Sequence, residues 1–275
     1  MLDRFLSTFS LVSRIPVRVK FVFDASRMDF YLPLAGVFPA LIQLLLFGGL
    51  SLMWDDPPLT VVIVIITQYL CFNLFHLDGL MDTADAFLGT LDREKRQAIL
   101  KDSRIGVYGF FAGFAALSLK IALLSGLFPL VFRFPAVLSA YPVCGRLAAS
   151  LLPCMVKPAN PGSLGALSRD AKPVRAALGA LAGLLLLTLL VWGLANAVKL
   201  WAPLFDTALL GAAPLPSILI LATAFLLLCP LTALFYARLY GKSLGGYSGD
   251  ALGASIETGE ILYLLAARVV LGFFQ

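Results

Sequence analysis

Three aspartates at helical spacing are the side chains of this sequence that are best suited to chemistry. Asp78, Asp82 and Asp85 occupy positions i, i+4 and i+7, so a helix would carry them as one stripe. Like charges four residues apart destabilise an isolated helix by about 0.2–0.5 kcal/mol per pair, and the stripe therefore needs a compensating cation. Carboxylate oxygens are the ligands that Mg²⁺ prefers. We predict a magnesium site at this aspartate stripe, centred on Asp82; a solvated acidic face is the alternative.

His76 directly precedes the stripe and is the only histidine of the chain. Because no thiol is near it, a zinc site is disfavoured, and the spacing of the acids does not match a calcium loop. An imidazole beside carboxylates could donate a hydrogen bond, accept a proton or cap the preceding apolar stretch. His76 is therefore a candidate catalytic residue with these roles open.

A second polar segment, 101–109, combines an acid, a hydroxyl, a guanidinium and glycines just before an apolar stretch. Arginine is suited to bidentate contact with phosphate. Glycine at a helix N-terminus lets backbone N–H groups approach an anion. The segment predicts phosphate binding by Ser103, Arg104 and Gly106. Asp102 is a further candidate metal ligand, and an ordinary helix cap is the alternative reading of the segment.

Glycines recur at 245–249, directly before a segment that contains several acids. A glycine loop that leads into a helix can cradle a phosphate group, which makes Gly245, Gly246 and Gly249 candidate binding residues. Asp250 follows the loop and is a candidate metal ligand.

Ionisable residues inside apolar stretches form a fourth group of candidates. Such residues are costly in a bilayer unless they are paired or hydrated, so they are functional candidates by default. Glu257 and Glu260 could be metal ligands, a general base, or partners of Arg146 or Arg268. A buried ion pair that serves packing is the alternative for both glutamates.

The composition indicates that a membrane bundle positions these residues. Of the 275 residues, 60% are hydrophobic and 13% are charged, and the mean hydropathy is +0.92. Soluble domains are about 45–50% apolar and about 25% charged. The chain is therefore predicted to be all-α, a polytopic transmembrane helical bundle forming a single integral membrane domain over 1–275. About 20 mostly apolar residues span a bilayer, and seven candidate spans satisfy this: 32–54, 58–75, 107–128, 132–156, 174–201, 215–237 and 251–273.

The distribution of Lys and Arg predicts the orientation in the membrane. These residues concentrate in the N-terminal segment and in the loops after the second, fourth and sixth spans. The N-terminus and the motif segments are therefore expected on the cytoplasmic side of a bacterial inner membrane. These loops account for the net charge of +5, and nucleic-acid binding is not expected. The predicted cytoplasmic parts are an interfacial N-terminal segment with an amphipathic helix (1–31), an acidic motif loop (76–106) and a second loop (157–173).

At these motifs the sequence resembles the cobalamin synthase family, the adenosylcobinamide-GDP ribazoletransferases. The matching stretches are FHLDGLMDTADAF (75–87), KDSRIGVYG (101–109), GR (145–146) and GGYSGDALGASIETGE (245–260). The resemblance implies Mg²⁺-dependent transfer of the cobinamide-phosphate group of adenosylcobinamide-GDP to α-ribazole or α-ribazole 5′-phosphate. GMP would be released, and adenosylcobalamin or its 5′-phosphate would form.

The resemblance also implies roles for the motif residues. Metal binding falls to four aspartates, Asp78, Asp82, Asp85 and Asp102. Arg104 and Arg146 would hold the diphosphate, and the loop 245–249 would bind the phosphates or the guanosine. Three acids remain to complete the metal site or to deprotonate the attacking hydroxyl: Asp250, Glu257 and Glu260. Ala86 stands where many members have glycine, a change that removes no ligand.

Two other classes of membrane protein are alternatives. CDP-alcohol phosphotransferases of phospholipid synthesis carry an aspartate motif whose start matches Asp82 and Asp85, but Ala86 replaces its glycine and 89–90 replaces its Ala-Arg pair. Ion-coupled secondary transporters place carboxylates near the membrane midplane in paired repeats. The aspartate stripe instead follows the end of an apolar stretch, and the other half of the chain does not repeat it.

Overall fold

The computed structural model describes residues 1–89, 92–201 and 214–273, and within these ranges every regular element is a helix. This confirms the predicted all-α class. The α-helices are numbered in chain order: α1 Leu2–Val12, α2 Met28–Ala35, α3 Val37–Ser51, α4 Pro57–Gln68, α5 Leu74–Phe87, α6 Arg93–Ile99, α7 Val107–Val131, α8 Pro135–Leu138, α9 Tyr141–Leu151, α10 Pro173–Trp201, α11 Pro214–Thr223, α12 Cys229–Leu244 and α13 Gly249–Gly272.

Five helical stretches among the described residues are long and apolar enough to cross a membrane. Each coincides with one of the seven predicted spans, which confirms a polytopic chain. The five stretches are Met28–Ser51, Pro57–Phe87, Val107–Val131, Pro173–Asn196 and Pro216–Leu244. Two of them contain a π-helical turn, which joins α4 to α5 at Tyr69–Asn73 and α11 to α12 at Ala224–Leu228.

Two predicted segments differ in the structure. The acidic motif segment 76–106 was predicted as a loop, but α5 extends the helix to Phe87 because its inner face packs against α13. The predicted span 132–156 is divided into α8, α9 and a short 3-10 turn. Pro135 and Pro142 lie in the first turns of α8 and α9, where proline is well tolerated. Every residue of α9 is buried.

The N-terminal segment contains the predicted helix, α1. Phe9 and Val12 are buried on its inner face, whereas Leu2 at its start is exposed. The Phe9 ring lies 4.9 Å from the ring of Phe38 on α3, and α1 also contacts α2. Aromatic packing of this kind fixes α1 against the bundle.

The last helix, α13, lies at the centre of the bundle, where it packs against α5, α7, α9 and α12. A Cβ atom at Gly79 of α5 would lie 2.9 Å from the Asp250 backbone, and one at Gly253 would lie 3.0 Å from the carbonyl oxygen of His76. These distances leave no room for side chains, so α5 and α13 cross backbone to backbone. The crossing brings the aspartate stripe to the start of α13.

Candidate active site

The crossing of α5 and α13 gathers three aspartates from two of the sequence motifs. Asp78 and Asp82 on α5 lie close enough to Asp250, in the first turn of α13, for their negative charges to repel one another. Asp78 is exposed, whereas Asp82 and Asp250 are half-buried. Burial raises the pKa of Asp250 above its ordinary value, and the charge of Asp78 adds to this effect. None of the three forms an ion pair with a residue that the structure describes.

We refer to Asp78, Asp82 and Asp250 as the acidic cluster. Over 1–89, 92–201 and 214–273, no three side chains of His, Cys, Asp or Glu are arranged to hold a metal ion by themselves. The cluster does provide hard oxygen donors and excess negative charge, both of which suit Mg²⁺.

Asp85, the third member of the stripe, is directed at the N-terminus of α7. Its carboxylate accepts hydrogen bonds from the backbone N–H groups of Gly106 and Gly109, each at 2.8 Å. A Cβ atom at either glycine would collide with this carboxylate. The helix N-terminus of segment 101–109 therefore does bind an anion, as the glycines predict, but in this structure the anion is the protein's own Asp85.

Asp102 and Arg104 form a salt bridge just before α7, with their closest atoms 2.6 Å apart. Hydrogen bonds from Arg104 lower the pKa of Asp102 below its ordinary value. The Arg104 side chain is 88% exposed, so much of its guanidinium faces outward. Ser103 is also exposed. The contact of Gly106 with Asp85 places this short segment at the C-terminal end of the stripe.

The glycine loop 245–249 is held by the loop 157–173. The N–H group of Tyr247 donates to the carbonyl of Lys157 at 3.0 Å, and Tyr247 accepts from the N–H group of Ala159 at 2.9 Å. Gly246 packs directly against this second loop, where a Cβ atom would lie 2.5 Å from Lys157.

The other two glycines of the loop differ in their surroundings. Gly245 ends α12 with a left-handed φ of 81°, a conformation that glycine adopts without strain. At Gly249 a Cβ atom would meet no atom within 4 Å, so its surroundings are open. Of the three predicted phosphate-binding glycines, Gly249 alone combines open space with the start of a helix.

The intramembrane charged residues form a buried ion cluster: Lys120, Arg146, Glu257 and Glu260. The Lys120 Nζ atom lies 2.7 Å from the Glu257 carboxylate and 2.5 Å from that of Glu260. Arg146 lies 3.3 Å from Glu260. Two cations and two carboxylates balance, which is what a low-dielectric interior requires.

This arrangement corresponds to the buried ion pair given as the alternative for Glu257 and Glu260. Arg146 is one of their two predicted partners. The other, Arg268, instead donates to the carbonyl of Gly126 at 3.4 Å.

The π-helical turn between α4 and α5 supplies polar partners to this ion cluster. The Tyr69 hydroxyl donates to Glu257 at 2.6 Å. The Asn73 amide donates to Glu260 at 3.1 Å and its oxygen accepts from Arg146 at 3.1 Å. Wide turns of this type occur frequently at functional sites. Tyr69, Asn73 and Lys120 were not among the predicted site residues, although an ionisable lysine within an apolar span was a signal for the last of them.

His76 lies between the buried ion cluster and the acidic cluster. It follows Asn73 by one turn of helix, precedes Asp78 by two residues and is 2% exposed. Its Nδ1 atom has no hydrogen-bond partner in the described part of the chain, and the same holds for Nε of Arg146. His76 is buried whereas Asp78, two residues further along α5, is exposed, so their side chains lie on different faces of the helix.

Comparison with known proteins identifies relatives over nearly the whole chain. A profile of the family described as cobalamin-5-phosphate synthase matches residues 4–268. An adenosylcobinamide-GDP ribazoletransferase of Vibrio cholerae is 30% identical, with 100% of this chain and 95% of the relative covered. Proteins of the same name from Bradyrhizobium diazoefficiens and Citrobacter koseri are 32% and 31% identical, with 88% and 95% of this chain and 83% and 98% of those relatives covered. No solved structure matches the chain.

Proposed function

The chain belongs to the cobalamin-5-phosphate synthase family, as its motifs predict, and we propose that it transfers the cobinamide-phosphate group of adenosylcobinamide-GDP to α-ribazole or its 5′-phosphate. A hydroxyl oxygen of the ribazole would form a bond to the phosphorus attached to cobinamide. The bond from that phosphorus to the oxygen of the guanosine phosphate would break, so that GMP leaves. The hydroxyl proton would pass to a base. The chain is a transferase of cobalamin biosynthesis, and neither the phospholipid phosphotransferase nor the transporter alternative accounts for this family match.

The observation that carries this proposal is the acidic cluster of Asp78, Asp82 and Asp250. Three carboxylates without a cationic partner in the described chain are suited to attract a cation, and a diphosphate substrate would bring further oxygen ligands. Mg²⁺ commonly binds one or two carboxylates together with substrate phosphates and water, so a complete protein cage is not needed. When bound, the ion would neutralise charge on the diphosphate.

The burial and exposure of the motif residues suggest different roles for them. Asp82 and Asp250 are half-buried and close enough for their charges to interact, which makes them the candidates for accepting the hydroxyl proton. Arg104, with its exposed guanidinium, is the candidate for contact with the diphosphate. His76 remains a candidate catalytic residue, since its buried Nδ1 atom has no hydrogen-bond partner in the described chain.

The buried ion cluster has a different proposed role, that of holding the site together. Glu257 and Glu260 bind α13 to Lys120 of α7 and to Arg146 of α9. Since Asp250 lies on the same helix as both glutamates, these contacts fix it relative to α5. We therefore regard the two glutamates and Arg146 as positioning residues rather than as groups that touch the substrate.

GMP release by purified protein in detergent tests the proposed function. The reaction contains adenosylcobinamide-GDP, α-ribazole 5′-phosphate and Mg²⁺, and a parallel reaction contains EDTA. We expect GMP together with a corrinoid product, and neither of them in EDTA. Folded protein that forms no GMP under any of these conditions would contradict the proposal. Comparing free α-ribazole with its phosphate then identifies the preferred acceptor.

A further inference from the structure

A cavity of about 230 Å³ lies away from the acidic cluster, between α1, the start of α2 and the segment that precedes α10. We propose that this cavity binds a phosphate group, carried either by a lipid headgroup or by a soluble molecule. Three arginines and two aspartates line it: Arg4, Arg27, Arg175, Asp29 and Asp170.

Two of the three arginines are held by carboxylates. Arg4 donates through Nε to Asp24 at 2.8 Å, and Arg175 donates through Nε to Asp29 at 2.8 Å. Asp29 is 2% exposed and also accepts the backbone N–H group of Lys172 at 2.6 Å. The one carboxylate buried in the wall is therefore already satisfied. These contacts fix the guanidinium groups by one edge and leave other N–H groups of Arg4 and Arg175 for a ligand.

Asp170 does not neutralise the cavity. Its carboxylate is 92% exposed, and its nearest cation is Arg169 at 3.8 Å, which does not line the cavity. The backbone carbonyl of Asp170 accepts a hydrogen bond from Arg175. The third arginine, Arg27, forms no ion pair with any described residue. Its charge is therefore the uncompensated one in the wall.

The backbone of Arg27 provides a second, independent observation. Its φ is 64°, and among the described residues it is the one non-glycine with a positive φ. Glycine adopts this conformation freely, whereas other residues pay of order 1–2 kcal/mol for it. Strain retained at the residue that carries the free positive charge points to a use for the side chain.

Phosphate is the anion that fits these donors. Arginine forms paired hydrogen bonds to phosphate oxygens, and the polar residues Ser26 and Ser168 also line the cavity. The site is separate from the acidic cluster, because Asp78, Asp82 and Asp250 do not line the cavity. Ser168, which does line it, belongs to the 3-10 turn Leu164–Ser168, and Gly165 of that turn packs against Gly249 at the start of α13.

Arg27→Gly is the variant that separates ligand binding from folding. Because glycine relieves the strained backbone, its thermal midpoint without ligand is expected to equal or exceed that of the wild type. The matched control is Arg18→Gly, which removes an exposed charge from the same N-terminal segment but not from the cavity.

Thermal unfolding is followed by tryptophan fluorescence without Mg²⁺ or corrinoid substrates, so the result is independent of the transferase proposal. One arm adds inorganic phosphate to protein in detergent at constant ionic strength. The other compares phosphatidylcholine nanodiscs with and without phosphatidic acid. We expect a rise in midpoint of about 2 °C or more for the wild type and for Arg18→Gly in at least one arm. In Arg27→Gly the phosphate concentration needed for the same rise should increase at least tenfold, or the lipid-dependent rise should disappear.

The two arms also identify the source of the phosphate. A response confined to phosphatidic acid assigns the cavity to a lipid headgroup, and a response to inorganic phosphate assigns it to a soluble anion; both results support the site. Equal responses in Arg27→Gly and wild type, an equal loss in Arg18→Gly, or no response in either arm would overturn it.

Discussion

Asp82 is the residue whose side chain we expect to contribute most to turnover. It is half-buried near the like charges of Asp78 and Asp250. Asp82→Asn therefore removes a carboxylate that could bind the metal ion, and it also relieves the repulsion between these charges. GMP release should fall about 10²-fold or more, with a thermal midpoint equal to or above that of the wild type. The matched control is Asp55→Asn, in an exposed turn, which should retain activity. Wild-type turnover by Asp82→Asn in the presence of Mg²⁺ would exclude Asp82 from the site.

Asp85 should behave differently from Asp82, although both belong to the same stripe. Its carboxylate accepts the N–H groups of Gly106 and Gly109, so Asp85→Ala removes a helix cap. We expect a loss of about 0.5–2 kcal/mol in the free energy of unfolding, measured by chemical denaturation, with part of the activity retained. Complete loss of GMP release at unchanged stability would instead assign Asp85 to the metal.

The candidate residues could be predicted in part from their types and spacing. The placement of Asp78 and Asp82 on one helical stripe, and of Asp250 after a glycine loop, follows from helical periodicity and the positions of glycines, which are local properties of the sequence. The partners of Glu257 could not be predicted in the same way. Lys120 and Tyr69 lie 137 and 188 residues away from it in the chain. A single polar residue in an apolar stretch does not indicate which distant residue it will contact in the fold.

At the scale of helices, Lys120 should matter for assembly. Lys120→Met retains the length of the side chain but leaves Glu257 and Glu260 with Arg146 as their one cation. Breaking a buried ion pair costs about 3–5 kcal/mol. We therefore expect a lower thermal midpoint and less protein in the membrane, while Lys101→Met, at an exposed position, has no effect.

The double variant Lys120→Met with Glu257→Gln tests whether charge balance is the cause. It restores one cation and one carboxylate, Arg146 with Glu260, and should recover most of the lost stability. If Lys120→Met is as stable as the wild type, or if the double variant is worse than either single variant, the ion cluster does not hold the helices together.

Helix existence was more predictable than helix boundaries. Apolar length identified the five stretches that could cross a membrane, whereas the predicted span 132–156 is divided into short helices that begin at or next to Pro135 and Pro142. The spacing of the aspartates predicted a helix at the stripe, but the segment was assigned to a loop outside the spans because acids are rare inside spans, and the continuation of the preceding span to Phe87 was not predicted. The structure stabilises a helix there by burying its glycine face against α13, a tertiary effect that local composition does not record.

At the scale of the whole molecule, the loop charges predict a cytoplasmic active site. Glu94→Cys on α6 should react with a membrane-impermeant maleimide only in inverted vesicles, and Asp55→Cys only in intact cells. Both positions are exposed. Of the four native cysteines, Cys144 and Cys229 are buried, and Ser replacement of Cys71 and Cys154 removes background labelling. The opposite labelling pattern would show that the topology is the reverse of the predicted one. Labelling of both positions from the same side would contradict the prediction that Asp55 and Glu94 lie on opposite sides of the membrane.

The central position of α13 has a consequence for biogenesis. A ribosome delivers α7 and α9 before α13, so Lys120 and Arg146 enter the nascent bundle before either of their carboxylates exists. Helix α13 carries Glu257 and Glu260 and is too polar to be among the five apolar stretches. Its ion pairs with Lys120 and Arg146 would therefore hold it in the bundle. Synthesis that stops before α13 would leave two unpaired charges in lipid, a state that membrane quality control can recognise. Insertion of α13 thus pairs these buried charges and brings Asp250 to the active site in one step.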